Sequence, residues 1–324
     1  MVTNFSYTRP KSLKEAVKQL SSPGAGLHAG GTDLLGCLRD HVFDVKKLVS
    51  ISGLAELKGI STASDGSLRI GALTTIAEAA EHRVVNERYT ALAQAARAVA
   101  SPQLRNQGTM GGNLCQKPRC WYYRGEFHCL RKGGTKCFAV AGENEYHCIL
   151  GGGPCFIVHP SDTATALVAL NASLRITGPK GSRAVPVEQF HVLPSSDVHR
   201  ETVLAPGEIV TEIVLPPARG LRSSYRKVRA RASWDFALAG IALAIRFTDG
   251  VAAEARAVLS GAAPVPWRSR EIEEAIKGRK LAADVIARAA EVSMKNARPL
   301  AGNAYKLPLF RGMIEEELAA IGAG

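Results

Sequence analysis

Six of the seven cysteines in this 324-residue chain lie between positions 115 and 155. A fold built from this sequence must gather them in one place. Regular structure is expected to pause after residue 114 and to resume at CFIVHPSD (155–162), read as a buried strand ending in a turn. Disulfides do not explain the cluster. The N-terminal MVTNFSYTRPKSLKEAV has no apolar signal region, and the chain is no small secreted scaffold. Inert buried cysteines explain one or two, not six. A zinc site has His128 and His147 at hand, but structural zinc favours short knuckles and the nearest spacing is Cys115-x4-Cys120. Ferredoxin-type iron–sulfur sites also use short spacings. The cationic, N–H-rich RKGGTK (131–136) suits either thiolate centre. Spacing alone leaves zinc and iron–sulfur open.

The length predicts two or three domains, and 46% hydrophobic residues supply their cores. No apolar run is long enough to span a bilayer, so no membrane insertion is expected. A cytoplasmic location follows, or a periplasmic one if a signal-bearing partner carries the chain. The formal net charge of +12 raises the question of nucleic acid. The basic residues are scattered, and the aromatic residues, 6% of the chain, do not interleave with them. A basic face for an acidic protein partner, or solubility, is the better reading.

KSLKEAVKQL (11–20) reads as an amphipathic helix with Ser12 and Glu15 at capping-box spacing. KKLVSIS and SLRIGAL read as strands, TIAEAAEH as a helix opened by Thr75 and Glu78, and TALAQAARAVA as a helix ended by Pro102. Residues 163–177 read as a helix then a strand, and 208–216 as a strand closed by prolines. ARGLRSS (218–224) looks like a linker. Beyond it, strands over 223–231 and 237–247, followed by EARAVLSGAAP (254–264), precede helices at 268–277, 281–297 and 311–322, the pattern of a separate α+β domain.

Two glycine-rich turns stand out. AGGTD offers Gly30, Gly31 and the Thr32 hydroxyl; GTMGGN offers Gly111, Gly112, Thr109 and the Asn113 amide. Backbone N–H groups in such turns can converge on an anion, and two of them could clasp a pyrophosphate from both sides. Neither is a G-x-G-x-x-G fingerprint or a P-loop.

LHAGGTDLL, IGALTT, SPQLRNQGTMGGNL and HPSD, in this order, resemble the FAD-binding subunits of molybdenum hydroxylases, and YRKVRARASWDFAL and NAYKLPLF resemble their C-terminal domain. The resemblance implies an α+β chain: a two-lobed FAD-binding domain of the PCMH type over residues 1–220 (lobes about 1–55 and 56–220) and a C-terminal α+β domain of the CO dehydrogenase flavoprotein type over 221–324. It implies FAD held by Leu27, His28, Ala29, Gly30, Gly31, Thr32, Asp33 and Leu34, and by Thr109, Met110, Gly111, Gly112 and Asn113. Asp162, Val210 and Lys227 match further FAD contacts, Lys227 opening the pattern completed by Arg231 and Asp235. A surface ion pair of Lys227 with Asp235 is the competing reading of that lysine.

A branch of the family, resembling the flavin subunits of periplasmic aldehyde oxidoreductase and 4-hydroxybenzoyl-CoA reductase, carries a [4Fe–4S] cluster in a loop at this place, here 115–155. By that resemblance the ligands are Cys120, Cys129, Cys137 and Cys155, with Cys148 the competitor for the fourth position. Cys37 and Cys115 are expected to be packing residues, and Trp121, Tyr122 and Tyr123 to cover the loop. His28 and His159, beside FAD motifs, are read as packed histidines. The implied partners are a molybdopterin-binding large subunit, a [2Fe–2S] small subunit and an external electron acceptor. Aldehyde oxidation is the expected reaction, aromatic acyl-CoA reduction the alternative, and a basic zinc-binding interaction protein the alternative of another class. No catalytic acid–base pair or triad is visible.

Overall fold

The computed structural model describes residues 4–323; residues 1–3 and 324, at the ends of the expected domain ranges, lie outside the described residues. Strands fall into three sheets in chain order. The first is parallel, with β1 (Ser6–Thr8), β2 (Ala25–His28) and β3 (Lys47–Ser50) in the order β1-β3-β2. Helix Leu13–Leu20 makes the crossover that parallel strands require. Ser12 caps it by accepting the Glu15 N–H, and the Glu15 carboxylate accepts the Lys11 N–H at 2.8 Å. Its Ala16 and Val17 pack on Val49 and Ile51.

The second sheet is antiparallel. It comprises β4 (Ile60–Thr62), β5 (Leu68–Gly71), β6 (Ser173–Gly178), β7 (Gly181–Pro186) and β8 (Ile209–Leu215), in the order β4-β5-β8-β6-β7. Residues 72–172 leave this sheet and return to it, and they carry the second glycine turn and all the clustered cysteines. Thr75 and Glu78 form a complete capping box on helix Ile76–Glu81.

The third sheet is an antiparallel meander of β9 (Leu221–Val228), β10 (Ala239–Thr248), β11 (Val251–Ser260) and β12 (Trp267–Arg268). Strand β10 reads as a continuous apolar run because both its faces are covered. Ala242 and Ala244 join the core with helices Thr90–Ala98 and Asp162–Ala169, while Ile241, Leu243 and Ile245 pack on helices Arg270–Ile276, Ala283–Ser293 and Lys306–Ala323. Glu188, beside the second sheet, accepts from Arg256, Arg268 and Arg270 of the third unit at 2.7–3.0 Å.

Three expectations need correction, and one strand had not been expected. CFIVHPSD forms no strand. Its backbone bonds singly to other loops, with Cys148 N–H to Phe156 O and His159 N–H to Ala263 O, so no ladder forms. Residues 221–224 of the expected linker already belong to β9, because they pair with residues 243–246 of β10. Pro102 does not merely end a helix. It occupies the first turn of helix Pro102–Gln107, capped by Ser101, where its missing N–H costs nothing. Hairpin strand β7 has a mostly exposed face and so no apolar signal to betray it. Among the described residues, no helix is long and apolar enough to cross a membrane.

Candidate functional site

The first glycine turn follows β2. Gly31 adopts φ of 75°, a left-handed conformation that glycine reaches without steric cost. The turn rests on β3 through His28 Nδ1, 3.1 Å from Ser50 Oγ. His28 is therefore a packed, hydrogen-bonded residue, and burial holds its pKa below the ordinary value.

The second glycine segment is not an open turn. Thr109 caps the short helix Met110–Leu114 by accepting the Gly112 N–H at 3.1 Å. This helix sits on the IGALTT stretch: Met110 N–H donates to Thr74 O, Gly111 N–H to Ala72 O and Ile76 N–H to Gly108 O. Asn113 Oδ1 accepts the hydroxyls of Ser161 and Thr163 at 2.5 and 2.6 Å, which ties the segment to the HPSD stretch.

The two glycine segments touch. A Cβ on Gly30 would stand 2.1 Å from the Gln107 carbonyl oxygen, and Gln107 Nε2 donates to Gly30 O at 3.3 Å. Gly31, Thr32, Thr109 and Gly112 form a wall shared by two adjoining clefts. One, of about 310 Å³, continues along Leu27, Leu34, Phe43, Ile51 and Val210. The other, of about 440 Å³, continues along Asn113, Asp162, Lys227, Trp234 and Phe236. Ala29, Gly30 and Gly111 line the first cleft. Met110 is fully buried in the core, so only its backbone serves this region.

Asp162 and Lys227 are brought together at the far end of the second cleft. Lys227 Nζ donates to Asp162 Oδ2 at 2.8 Å and to Ala98 O at 3.1 Å, and Tyr225 OH donates to Asp162 Oδ1 at 2.6 Å. Both members of the ion pair have side chains no more than 5% exposed. Lys227 therefore pairs with Asp162, not with Asp235 across the surface. Burial and then the adjacent carboxylate push the Tyr225 phenol well above its ordinary pKa, so it stays a donor. Tyr225 went unnoticed in the sequence. Its signal was there: two residues before Lys227 on a strand, it shares that residue's face.

Asp33 has a role that its place in the glycine motif did not reveal. Its carboxylate accepts the Lys117 N–H at 2.7 Å and pairs with Arg124 at 2.7 Å and Arg119 at 2.9 Å. The first glycine turn is thereby fastened to the cysteine loop on both sides of Cys120. Glu201 makes a second fastening, to Lys117 and to Arg131. Arg131 lies beside the Cys155 thiol.

The cysteines occupy one region. Cys137 and Cys155 are neighbours whose titrations are linked, which draws Cys137 down to about 6 and, with burial, pushes Cys155 up. Cys120 lies within electrostatic reach of Cys129 and Cys137, and its Sγ is 3.2 Å from His147 Nε2. Burial raises its thiol to about 11. Cys148 is fully buried, with its thiol pushed up to about 12. Cys37 is core and Cys115 lines the first cleft. Trp121 and Tyr122 make edge and stacked contacts with Tyr146, His147, Phe127 and Phe138, a cover over the loop. Among the described residues no three His, Cys, Asp or Glu side chains converge as ligands of a single metal ion.

Residues 3–218 match the family model of the FAD-binding domain in molybdopterin dehydrogenase, and residues 223–320 match that of the CO dehydrogenase flavoprotein C-terminal domain. The chain belongs to the FAD-binding medium subunits of the molybdenum hydroxylases. It is 35% identical to the aldehyde oxidoreductase FAD-binding subunit PaoB of Escherichia coli K12, over 97% of both chains. It is 30% identical to the xanthine dehydrogenase FAD-binding subunit of Escherichia coli O157:H7, over 98% of this chain and 97% of that one. The carbon monoxide dehydrogenase structure from Hydrogenophaga pseudoflava that lacks the Mo-pyranopterin moiety superposes with a TM-score of 0.79 at 27% identity, covering 100% of this chain and 99% of that one. The fold class expected from the sequence motifs is thus the one found, and the chain is a flavin subunit of an oxidoreductase.

The residues present fit both groups that the sequence suggested. For FAD, the wall shared by the clefts is glycine where a ligand must approach the backbone. For an iron–sulfur cluster, the flavin subunit has thiols gathered beneath an aromatic cover, with cationic side chains beside them. Arg131 Nε and Nη2, Arg119 Nε and His147 Nδ1 are buried there without hydrogen-bond partners. Ligands of a [4Fe–4S] cluster bind different irons and need not converge on one point, as the ligands of a zinc ion must.

Proposed function

We propose that this chain is the electron-transfer flavin subunit of an aldehyde-oxidising molybdenum hydroxylase, carrying FAD and one [4Fe–4S] cluster. The observation that carries the reading is the glycine wall between two clefts, one ending at the buried Lys227–Asp162 pair. The Gly30 and Gly31 N–H groups and the Thr32 and Thr109 hydroxyls would hold the pyrophosphate, while Gly111 and Gly112, whose N–H groups already bond to Ala72 O and Thr109 Oγ, would let it approach closely. Leu27, Leu34 and Val210 would hold the adenosine side, and Asp162 and Lys227 would stand toward the flavin ring. FAD supplies the redox chemistry, accepting electrons from one partner and delivering them to another. Lys227 would stand toward the pyrimidine end of the ring, where its ammonium, its charge partly offset by Asp162, would favour negative charge on the ring. Asp162 and Tyr225 hold that lysine in place.

Cys120, Cys129, Cys137 and Cys155 ligate the cluster. Cys155→Ser is expected to abolish it, while Cys148→Ser leaves it intact. Acid-labile sulfide and iron per chain check this, and the reverse result moves the fourth ligand to Cys148. On this reading the domains run over 1–220 and 221–324, and FAD would sit between the two lobes and the C-terminal unit. The partners are a molybdopterin-binding large subunit and a [2Fe–2S] small subunit, with an external acceptor drawing electrons from the flavin.

Identity to the aldehyde oxidoreductase subunit over nearly the whole chain favours aldehydes. The test is reconstitution of the three-subunit complex and a screen of aromatic aldehydes against 4-hydroxybenzoyl-CoA. Aldehyde-dependent flavin bleaching is expected. Turnover with the acyl-CoA alone refutes the aldehyde assignment.

A further inference from the structure

Residues 302–306, Gly302 and the first four residues of the NAYKLPLF stretch, line neither cleft. They grip one end of the cysteine loop. Gly302 N–H donates to Asn144 Oδ1 at 2.8 Å, and Tyr305 OH donates to Glu145 O at 2.9 Å. Lys306 Nζ donates to Tyr146 O at 3.4 Å, and Asn303 Nδ2 donates to the carbonyls of His147 and Cys148 at 3.0 and 3.3 Å. Each residue from 144 to 148 is therefore held by this short segment of the C-terminal unit. His147, so held, reaches the Cys120 sulfur and the edge of Trp121.

Lys306 is the unusual member. It is fully buried, and its other bond is to Gly261 O at 2.7 Å. Among the described residues no carboxylate forms an ion pair with it; its recorded electrostatic neighbours are His147 and the Cys148 thiol. Burial lowers its pKa only to about 8, so it remains mostly charged at neutral pH. A buried ammonium group with carbonyl partners alone is costly, because desolvation is not repaid by a counter-charge. A negatively charged thiolate-ligated cluster behind Cys120 would supply that counter-charge.

We propose that Lys306 is a positioning residue for the iron–sulfur centre: it fixes the segment 146–148 behind Cys120, and its charge raises the cluster's reduction potential. The inference rests on the cluster reading above. The step concerned is uptake of one electron by the cluster, with no bond made or broken. A nearby positive charge favours that step because it adds negative charge.

The test is a dithionite-poised redox titration of the anaerobically purified full chain, with iron and sulfide assayed in parallel. Lys306→Met is expected to keep iron and sulfide while shifting the cluster midpoint to more negative potential, and Lys306→Arg to hold it near the wild-type value. If Lys306→Met does not accumulate folded, Lys306→Gln, which keeps a donor for Gly261 O but loses the charge, is titrated and the same shift is expected. An unchanged midpoint in the uncharged variant, with iron present, overturns this inference and leaves the cluster reading standing. Wild-type protein without iron or sulfide overturns both, and the metal assay alone reveals it.

Discussion

Asp162→Ala is expected to strip the chain of flavin and to lower its unfolding free energy by about 3–5 kcal/mol, the usual cost of orphaning one member of a buried ion pair. Asp162 caps no helix by its own side chain; Ser161 does that. Its carboxylate instead accepts from Lys227 and Tyr225, both on β9, and so joins helix Asp162–Ala169 to the third sheet. Alanine leaves an ammonium and a phenol buried at the end of the second cleft, with only Ala98 O and Ser260 near them. The cleft loses its shape as well as its charge balance. Asp162→Asn, which still offers an acceptor oxygen, should fall between alanine and wild type. Denaturant unfolding and acid-extracted flavin measure the two effects. Wild-type stability in the alanine variant would show that the pair contributes nothing to the fold.

Gly30→Ala is the second large effect. The new methyl group would meet the Gln107 carbonyl oxygen at 2.1 Å, and that oxygen is backbone, so the two glycine segments must part. Overpacking of this kind costs roughly 1–3 kcal/mol. If the strain falls on the bound geometry, FAD affinity should drop by roughly tenfold to a hundredfold. Gly53→Ala is the control. It lines neither cleft, and a new Cβ there meets nothing within 4 Å. Fluorescence titration of the apo chain with FAD should separate the two. Equal affinities would mean that the contact between the segments does not shape the site.

Much of this architecture was legible because local and global signals agree. The capping residues at Ser12 and Thr75 announced their helices, and apolar runs announced β3, β8 and β10. The glycine segments were legible as places where backbone comes close to backbone, as at Gly30 and Gln107, since their composition is local information. What the sequence hid is what long-range pairing decides. CFIVHPSD has strand composition, yet no neighbouring edge lies in register for it. Asp33 looked like one more member of a glycine motif; its cationic partners stand more than eighty residues later. The assignment of Lys227 to Asp162 rather than Asp235 likewise depends on β9 lying against helix Asp162–Ala169. A nearby opposite charge in sequence was a poor guide to the true partner.

The central claim is that the chain itself holds FAD and a [4Fe–4S] cluster side by side. The measurement that tests it most directly is the visible spectrum of the anaerobically purified chain, taken with quantified flavin, iron and sulfide. The expected result is one FAD and four irons per chain, with flavin bands on a broad absorbance that dithionite bleaches. Colourless protein containing stoichiometric zinc, or a flavin spectrum with no iron and sulfide after anaerobic purification, contradicts it.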